Sequence, residues 1–252
     1  MPNKRSSQQR ATLLLAMILV ASAAARGNDP WKDKDFTDWD LKDVQRILTD
    51  SPWTRQIQFG MQGADAAPSV ITSTTQSPVN DPLMGGVARG TPANAASSAP
   101  SQGTGPVMLF TVSWISSRTI REAKARSKEL SGMPPAEART NLATLYDNYQ
   151  IAVVGNNLSA FAREGAEKLM SGSYLMSKKS KEKVAPARVF VELGDSTRPG
   201  AIIYEFPKKS LAGAPLIPPG EKGVEFYTAA NKISLKISFD ITKMTDKRGP
   251  DL

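Results

Sequence analysis

From residue 232 to 240 the chain alternates without a break. Ile233, Leu235, Ile237 and Phe239 fall on one side; Lys232, Ser234, Lys236, Ser238 and Asp240 fall on the other. An apolar period of two marks a strand with one face buried and one in water, as antiparallel sheets have. Shorter β-branched and aromatic runs predict further strands at 107–115, 149–155, 173–177, 187–193, 201–206 and 224–229. "AANK", between the last two strands, is short enough for a hairpin turn. Elsewhere the period becomes that of a helix. Ile120, Ala123, Ser127 and Leu130 share one face from about Ser117 to Leu130. "SGMPP" breaks that helix, and Pro134–Pro135 suit the first turn of a second one, with Ala138, Leu142, Leu145, Tyr146 and Tyr149 as its apolar stripe. A third helix over 156–169 turns Leu158, Phe161, Ala162 and Leu169 inward. The order β-α-α-β-α-β-β-β-β predicts an α+β fold: a mainly antiparallel sheet with about three helices on one face, plus an N-terminal Trp-rich helix and a disordered linker.

The N-terminal helix lies in "DPWKDKDFTDWDLKDVQRILTDSPW", residues 29–53, which holds three of the four tryptophans and seven aspartates. With Asp40 as N-cap, Asp43 stands three residues on, as in a reciprocal capping box. Trp39 and Val44 then occupy the two positions of a hydrophobic staple, and Leu41, Val44, Ile47 and Leu48 form the apolar stripe. Thr37, stapled by Phe36 and Leu41, is an alternative cap. Pro52 ends the helix. About ten residues of helix are marginal alone in water, so Trp31, Trp39 and Trp53 need a surface to bury them. Three surfaces qualify: the C-terminal domain, a partner protein, or a sugar on which the indoles stack.

Composition divides the rest of the chain. Residues 1–25 read as an export signal: Lys4, Arg5 and Arg10 precede the apolar run "ATLLLAMILVASAAA", and Ala21-Ser22-Ala23 and Ala23-Ala24-Ala25 both fit a cleavage site. That run has 15 residues, fewer than the roughly 20 that span a bilayer as a helix. Residues 26–59 form the Trp-rich segment. Residues 60–106 contain no aromatic and only three charges; this composition reads as a flexible linker, with Val70-Ile71-Thr72 as a transient strand. Residues 107–244 form the α+β domain, and 245–252 a tail. Removing the signal lowers the formal charge from +8 to +5, with the basic excess in the C-terminal part. That suits an anionic partner such as an envelope polymer or lipid headgroups, and an exported chain has little call to bind nucleic acid.

The chain has no cysteine and no histidine. Disulfide frameworks, Ser-His-Asp triads, Cys-His pairs and histidine-ligated zinc are therefore excluded. Each remaining candidate has a plainer reading. "SKKSKEK" contains Ser180-x-x-Lys183, a Ser-Lys nucleophile spacing, but its flanks are strands. The same lysines, Lys178, Lys179, Lys181 and Lys183, read better as a basic hairpin loop able to touch an anionic surface. "VVGNN" carries a strand into a helix, where Gly155 is a turn and Asn157 the expected N-cap rather than part of an anion site. Glu192, Glu205 and Glu225 stand on separate strands, each at an outward position, and read as surface ion pairs before a glycosidase acid pair. Asp33-Lys34-Asp35 opens like a calcium loop, but Thr37 and Asp38 fall where a third ligand and a glycine are needed. No catalytic residue, cofactor or metal site is expected.

The spacing of Trp31, Asp35, Phe36, Trp39, Asp43, Leu48, Ser51, Pro52 and Trp53 resembles the N-terminal segment of a family of exported, uncharacterised bacterial proteins, with the pattern W-x3-[DE]-[FY]-x2-W ending in S-P-W. "VEFYTAANKISLKISFDITKM" (224–244) is similar to that family's closing hairpin. The resemblance covers about a quarter of the chain and implies export. It brings no activity, cofactor or site residue with it. The expectation is a non-enzymatic exported module of the bacterial envelope that binds an envelope protein or an anionic polymer. The alternatives are a carboxylate-dependent enzyme acting on such a polymer, a glycan-binding protein using the tryptophans, and a membrane-surface role.

Overall fold

The structure, a computed structural model, describes residues 29–60, 69–71, 107–194, 198–209 and 213–252. The export signal read at 1–25 and most of the linker read at 60–106 lie outside these residues.

Short elements open the chain: α1 (Pro30–Asp33), a 3-10 turn over Phe36–Asp38, and α2 (Leu41–Thr49). The reciprocal cap of α2 forms as its spacing requires. The Asp43 N–H donates to the Asp40 carboxylate at 2.8 Å, and the Asp40 N–H to the Asp43 carboxylate at 3.3 Å. Trp39 and Val44, the staple pair, are both buried, whereas Leu41 is exposed.

The chain then runs directly into β1 (Thr54–Gly60), a strand that the Trp-rich reading of 26–59 did not include. Here β1 pairs along its whole length with β3 (Val107–Trp114) and also with the short β2 (Ser69–Ile71). It has few apolar residues to reveal it, and its hydrogen-bonding partner lies some fifty residues away.

Helix α3 (Arg118–Leu130) starts at its Ser117 cap. The second helix stops early: α4 is only Pro135–Ala138. Beyond it the Leu142 N–H donates to the Arg139 carbonyl at 2.9 Å instead of to that of Ala138, and the Arg121 guanidinium donates to the carbonyls of Leu142 and Thr144, both at 2.9 Å. Leu145 is left exposed, and Tyr149 belongs instead to β4 (Asn148–Gly155). The third helix is also divided, into α5 (Ser159–Glu164) and α6 (Ala166–Ser171), by Gly165 at φ 77° and ψ 158°.

Six strands complete the main body: β5 (Tyr174–Ser177), β6 (Lys183–Val184), β7 (Arg188–Leu193), β8 (Pro199–Pro207), β9 (Gly223–Ala230) and β10 (Ile233–Asp240). The strands divide between a six-stranded sheet, ordered β2-β1-β3-β4-β8-β7, and a four-stranded sheet, ordered β10-β9-β5-β6. Every pairing is antiparallel. The fold is α+β, as the pattern implies. Aromatic pairs join the two sheets edge to face: Trp114 with Phe239 at 5.4 Å between centroids, and Tyr204 with Phe226 at 5.2 Å. Strand β10 buries Ile233, Leu235, Ile237 and Phe239 and exposes Ser234, Lys236 and Ser238, as its alternation requires.

Residues 245–252, read as a tail, are built into the body. Strands β11 (Thr245–Asp246) and β12 (Gly249–Pro250) pair, and the acids around them are buried. Arg118 grips Asp246 with two nitrogens, at 2.8 and 3.0 Å. Arg248 grips Glu122 in the same way, at 2.6 and 2.8 Å. The Asp251 carboxylate accepts the Arg118 and Thr119 N–H groups at 2.7 and 2.8 Å, so it caps α3 from the far end of the chain.

Candidate functional site

The tryptophans are buried by their own chain. Trp31, Trp39 and Trp53 retain 3%, 2% and 0% of their exposure, which leaves no indole face for a ligand. The Trp53 indole donates to the Asp251 carbonyl at 2.6 Å, and the Trp39 indole to that of Pro30 at 3.1 Å. Trp31 meets Trp53 edge to face at 5.7 Å, and the Arg46 guanidinium lies 5.4 Å from its ring centre. The surrounding aspartates are likewise engaged. Asp35 pairs with Lys247 at 2.7 Å and accepts the Thr37 N–H and hydroxyl, contacts that hold its carboxyl at about 2. Asp43 pairs with Lys34 at 2.6 Å, and Asp29 with Arg46 at 3.0 Å.

The glutamates singled out earlier are not brought together. Glu205 accepts two bonds from Arg188, at 2.9 and 3.0 Å, and one from Gln150 at 2.7 Å. Glu192 is on the neighbouring strand but pairs with Ala201, whereas Arg188 pairs with Glu205. Four residues of strand, about 13 Å, therefore separate them, beyond the roughly 5–9.5 Å of a glycosidase pair. Glu225 belongs to the other sheet and pairs with Lys236 at 3.2 Å. Ser180 and Lys183 do not form a nucleophile pair. The Ser180 hydroxyl accepts the Glu182 N–H at 3.2 Å, and the Lys183 ammonium sits 4.4 Å from the Tyr174 ring centre. Asn157 does not cap a helix; Leu158 holds that position, and the Asn157 amide meets the Met108 sulfur. Gly155 is needed because a Cβ there would come within 2.6 Å of the Phe110 ring.

What the fold does assemble is a basic surface on the solvent side of the four-stranded sheet. Lys178, Lys179 and Lys181 are exposed in the turn from β5 to β6, and Lys183 begins β6. The turn is fixed from below by the buried Glu221. Burial opposes this carboxylate's charge, but the Ser177 hydroxyl and the N–H groups of Gly223, Lys179 and Lys222 outweigh that and hold it at about 2. Across the sheet the register aligns Tyr174 with Tyr227 and Tyr227 with Lys236, while Lys183 flanks Tyr174. The two phenols stack at 5.1 Å and 17°, so each ring covers a face of the other. Tyr174 donates to Glu225 at 3.1 Å. Burial and this bond to a carboxylate push its phenol pKa up. Over residues 173–184 and 221–243 there are eight lysines and four carboxylates. Two of those carboxylates, Glu221 and Glu225, are buried. These two segments, strands and turns together, carry a net four of the five positive charges left after residue 25.

Sequence reasoning located the lysine turn but missed its extension through Tyr174, Tyr227 and Lys236. The outward places of Lys236 on β10 and of Tyr227 on β9 are legible in the alternation. Their alignment in one row depends on register, which the alternation does not fix. Comparison with protein-family models, curated proteins and solved structures finds no match.

Proposed function

We propose that the protein is a non-enzymatic, exported binding module of the bacterial envelope, holding an anionic polymer against the lysine-rich face of its four-stranded sheet. The observation that carries this reading is the row from Lys183 through Tyr174 and Tyr227 to Lys236, together with the β5–β6 turn that exposes Lys178, Lys179 and Lys181. Exposed cations that share one face sum their fields and draw polyanions. The stacked phenols cover a face of each other and Lys183 lies over the Tyr174 ring, so contact is by charge and hydroxyl rather than by sugars lying on aromatic faces. Export rests on the signal-like first 25 residues and on the resemblance to exported bacterial proteins.

The test is binding of the chain from Arg26 onward to fluorescently labelled polygalacturonate, with dextran as the uncharged control. Affinity should fall as salt rises, since exposed charges are screened beyond about 8 Å at physiological ionic strength. The fourfold variant Lys178/Lys179/Lys181/Lys183→Ala should bind at least about tenfold more weakly, roughly 1.4 kcal/mol shared over four exposed contacts. Equal binding to dextran, or binding unchanged in the variant, would sink the proposal. Hydrolysis of the polymer that is lost in Glu205→Gln would replace it with an enzymatic function.

A further inference from the structure

We infer that β10 is a pairing edge through which two copies of the chain join, antiparallel, about a twofold axis at Ile237. Strand β10 ends the four-stranded sheet and has β9 on one side only. The Ile241 N–H donates to the Lys222 carbonyl at 3.0 Å, which continues the ladder and shows that odd-numbered residues turn their backbone groups toward β9. The N–H and C=O groups of Ser234, Lys236 and Ser238 therefore point out of the sheet. Among the described residues they meet no backbone partner. The strand has eight residues, no proline, no glycine and no register shift against β9. The other sheet ends are blunted: β6 has two residues and is followed by Pro186, β2 has three, and β7 shifts register between Glu192 and Leu193. A long, regular, open edge is the feature most sheets avoid, because it accepts another strand.

The side chains say which strand fits. Ile233, Leu235, Ile237 and Phe239 are already buried, so pairing needs no rearrangement of the core. Centred on Ile237, two copies set Lys236 opposite Ser238 of the other copy and Ser234 opposite its Asp240, with Lys236 diagonal to both Asp240 and Lys236 of the other copy. No like charges stand directly opposite. A centre on Lys236 would oppose two lysines. A twofold contact of this kind closes on itself and stops at a dimer. The two basic faces would then be continuous across one eight-stranded sheet.

Sedimentation velocity on the chain from Arg26 onward, at physiological salt, should show a monomer–dimer equilibrium. Ser238→Pro removes an N–H that faces away from β9, so it should abolish the dimer while leaving far-UV circular dichroism unchanged. Ser234 faces the uncharged Ala229 on β9 and Asp240 of the other copy, so Ser234→Lys should tighten the dimer about fivefold and Ser234→Glu should loosen it by a similar factor. The last two variants keep the inference testable if the proline variant does not fold. A chain that stays monomeric at its highest soluble concentration overturns the inference, as does a dimer indifferent to Ser234→Glu.

Discussion

Replacing Asp251 with alanine should cost about 3 kcal/mol of folding stability. Its carboxylate receives the N–H groups of Arg118 and Thr119 at 2.7 and 2.8 Å, and Asp251 itself is buried. Both donors belong to the first turn of α3, which has no earlier carbonyls to satisfy them. A hydrogen bond to a charged group contributes about 1.5–3 kcal/mol, and a deleted N-cap acceptor costs about 0.5–2 kcal/mol. Two such bonds, partly replaced by water, give the ~3 kcal/mol figure. The Trp53 indole bonds to the backbone carbonyl of Asp251, so that contact survives the substitution. Urea unfolding followed by tryptophan fluorescence reads the effect directly, because Trp53 and Trp114 lie beside the site. At a slope of about 2 kcal/mol per molar, the midpoint should fall by about 1.5 M with the slope unchanged. Asp251→Asn keeps an acceptor oxygen and should lose about half as much. A shift below about 0.5 kcal/mol for the alanine variant would mean that the Asp251 carboxylate does not hold α3.

Two further substitutions test other parts of the fold. Gly165→Ala forces a side chain onto φ 77° and ψ 158°, a region nearly confined to glycine, and should destabilise by about 1–3 kcal/mol in thermal or urea melts; an unchanged midpoint would mean that the break between α5 and α6 relaxes freely. Glu221 has its folded-state carboxyl held at about 2, below its ordinary 4.5. Its contribution is therefore complete above about pH 4.5 and is lost as pH falls from there toward 2. Glu221→Gln should be less stable than the parent at neutral pH, and its stability should decline less over that acid range; parallel acid limbs would contradict the assignment.

The parts of the molecule that were legible in sequence are those governed by near neighbours. The Asp40–Asp43 cap needs only residues three apart, and the facing of β10 needs only a period of two. The elements misread depend on distant partners. Ala138 to Tyr149 carries a sound helical stripe, but the Leu142 N–H turns to Arg139 rather than Ala138, and Arg121 of α3 holds the carbonyls that follow. Strand β1 exists because β3 pairs with it. Residues 245–252 look like a tail because Asp246, Arg248 and Asp251 find their counterparts, Arg118, Glu122 and the start of α3, more than a hundred residues earlier. The basic face was half legible for the same reason: its lysine turn is local, while its tyrosine row is a matter of register.

The pairing of β1 with β3 has a consequence for how this protein can vary. Gly60 and Val107 are register partners, so residues 61–106 leave and re-enter the body at adjacent strand ends. Closing a chain between two fixed points costs free energy that grows only with the logarithm of its length, about 0.6 kcal/mol per doubling. The β1–β3 register therefore fixes the two points to be joined, and the length of what joins them bears only weakly on that cost. An epitope or reporter domain inserted between Ile71 and Val107 should leave the unfolding free energy of the two sheets within about 1 kcal/mol of the parent's.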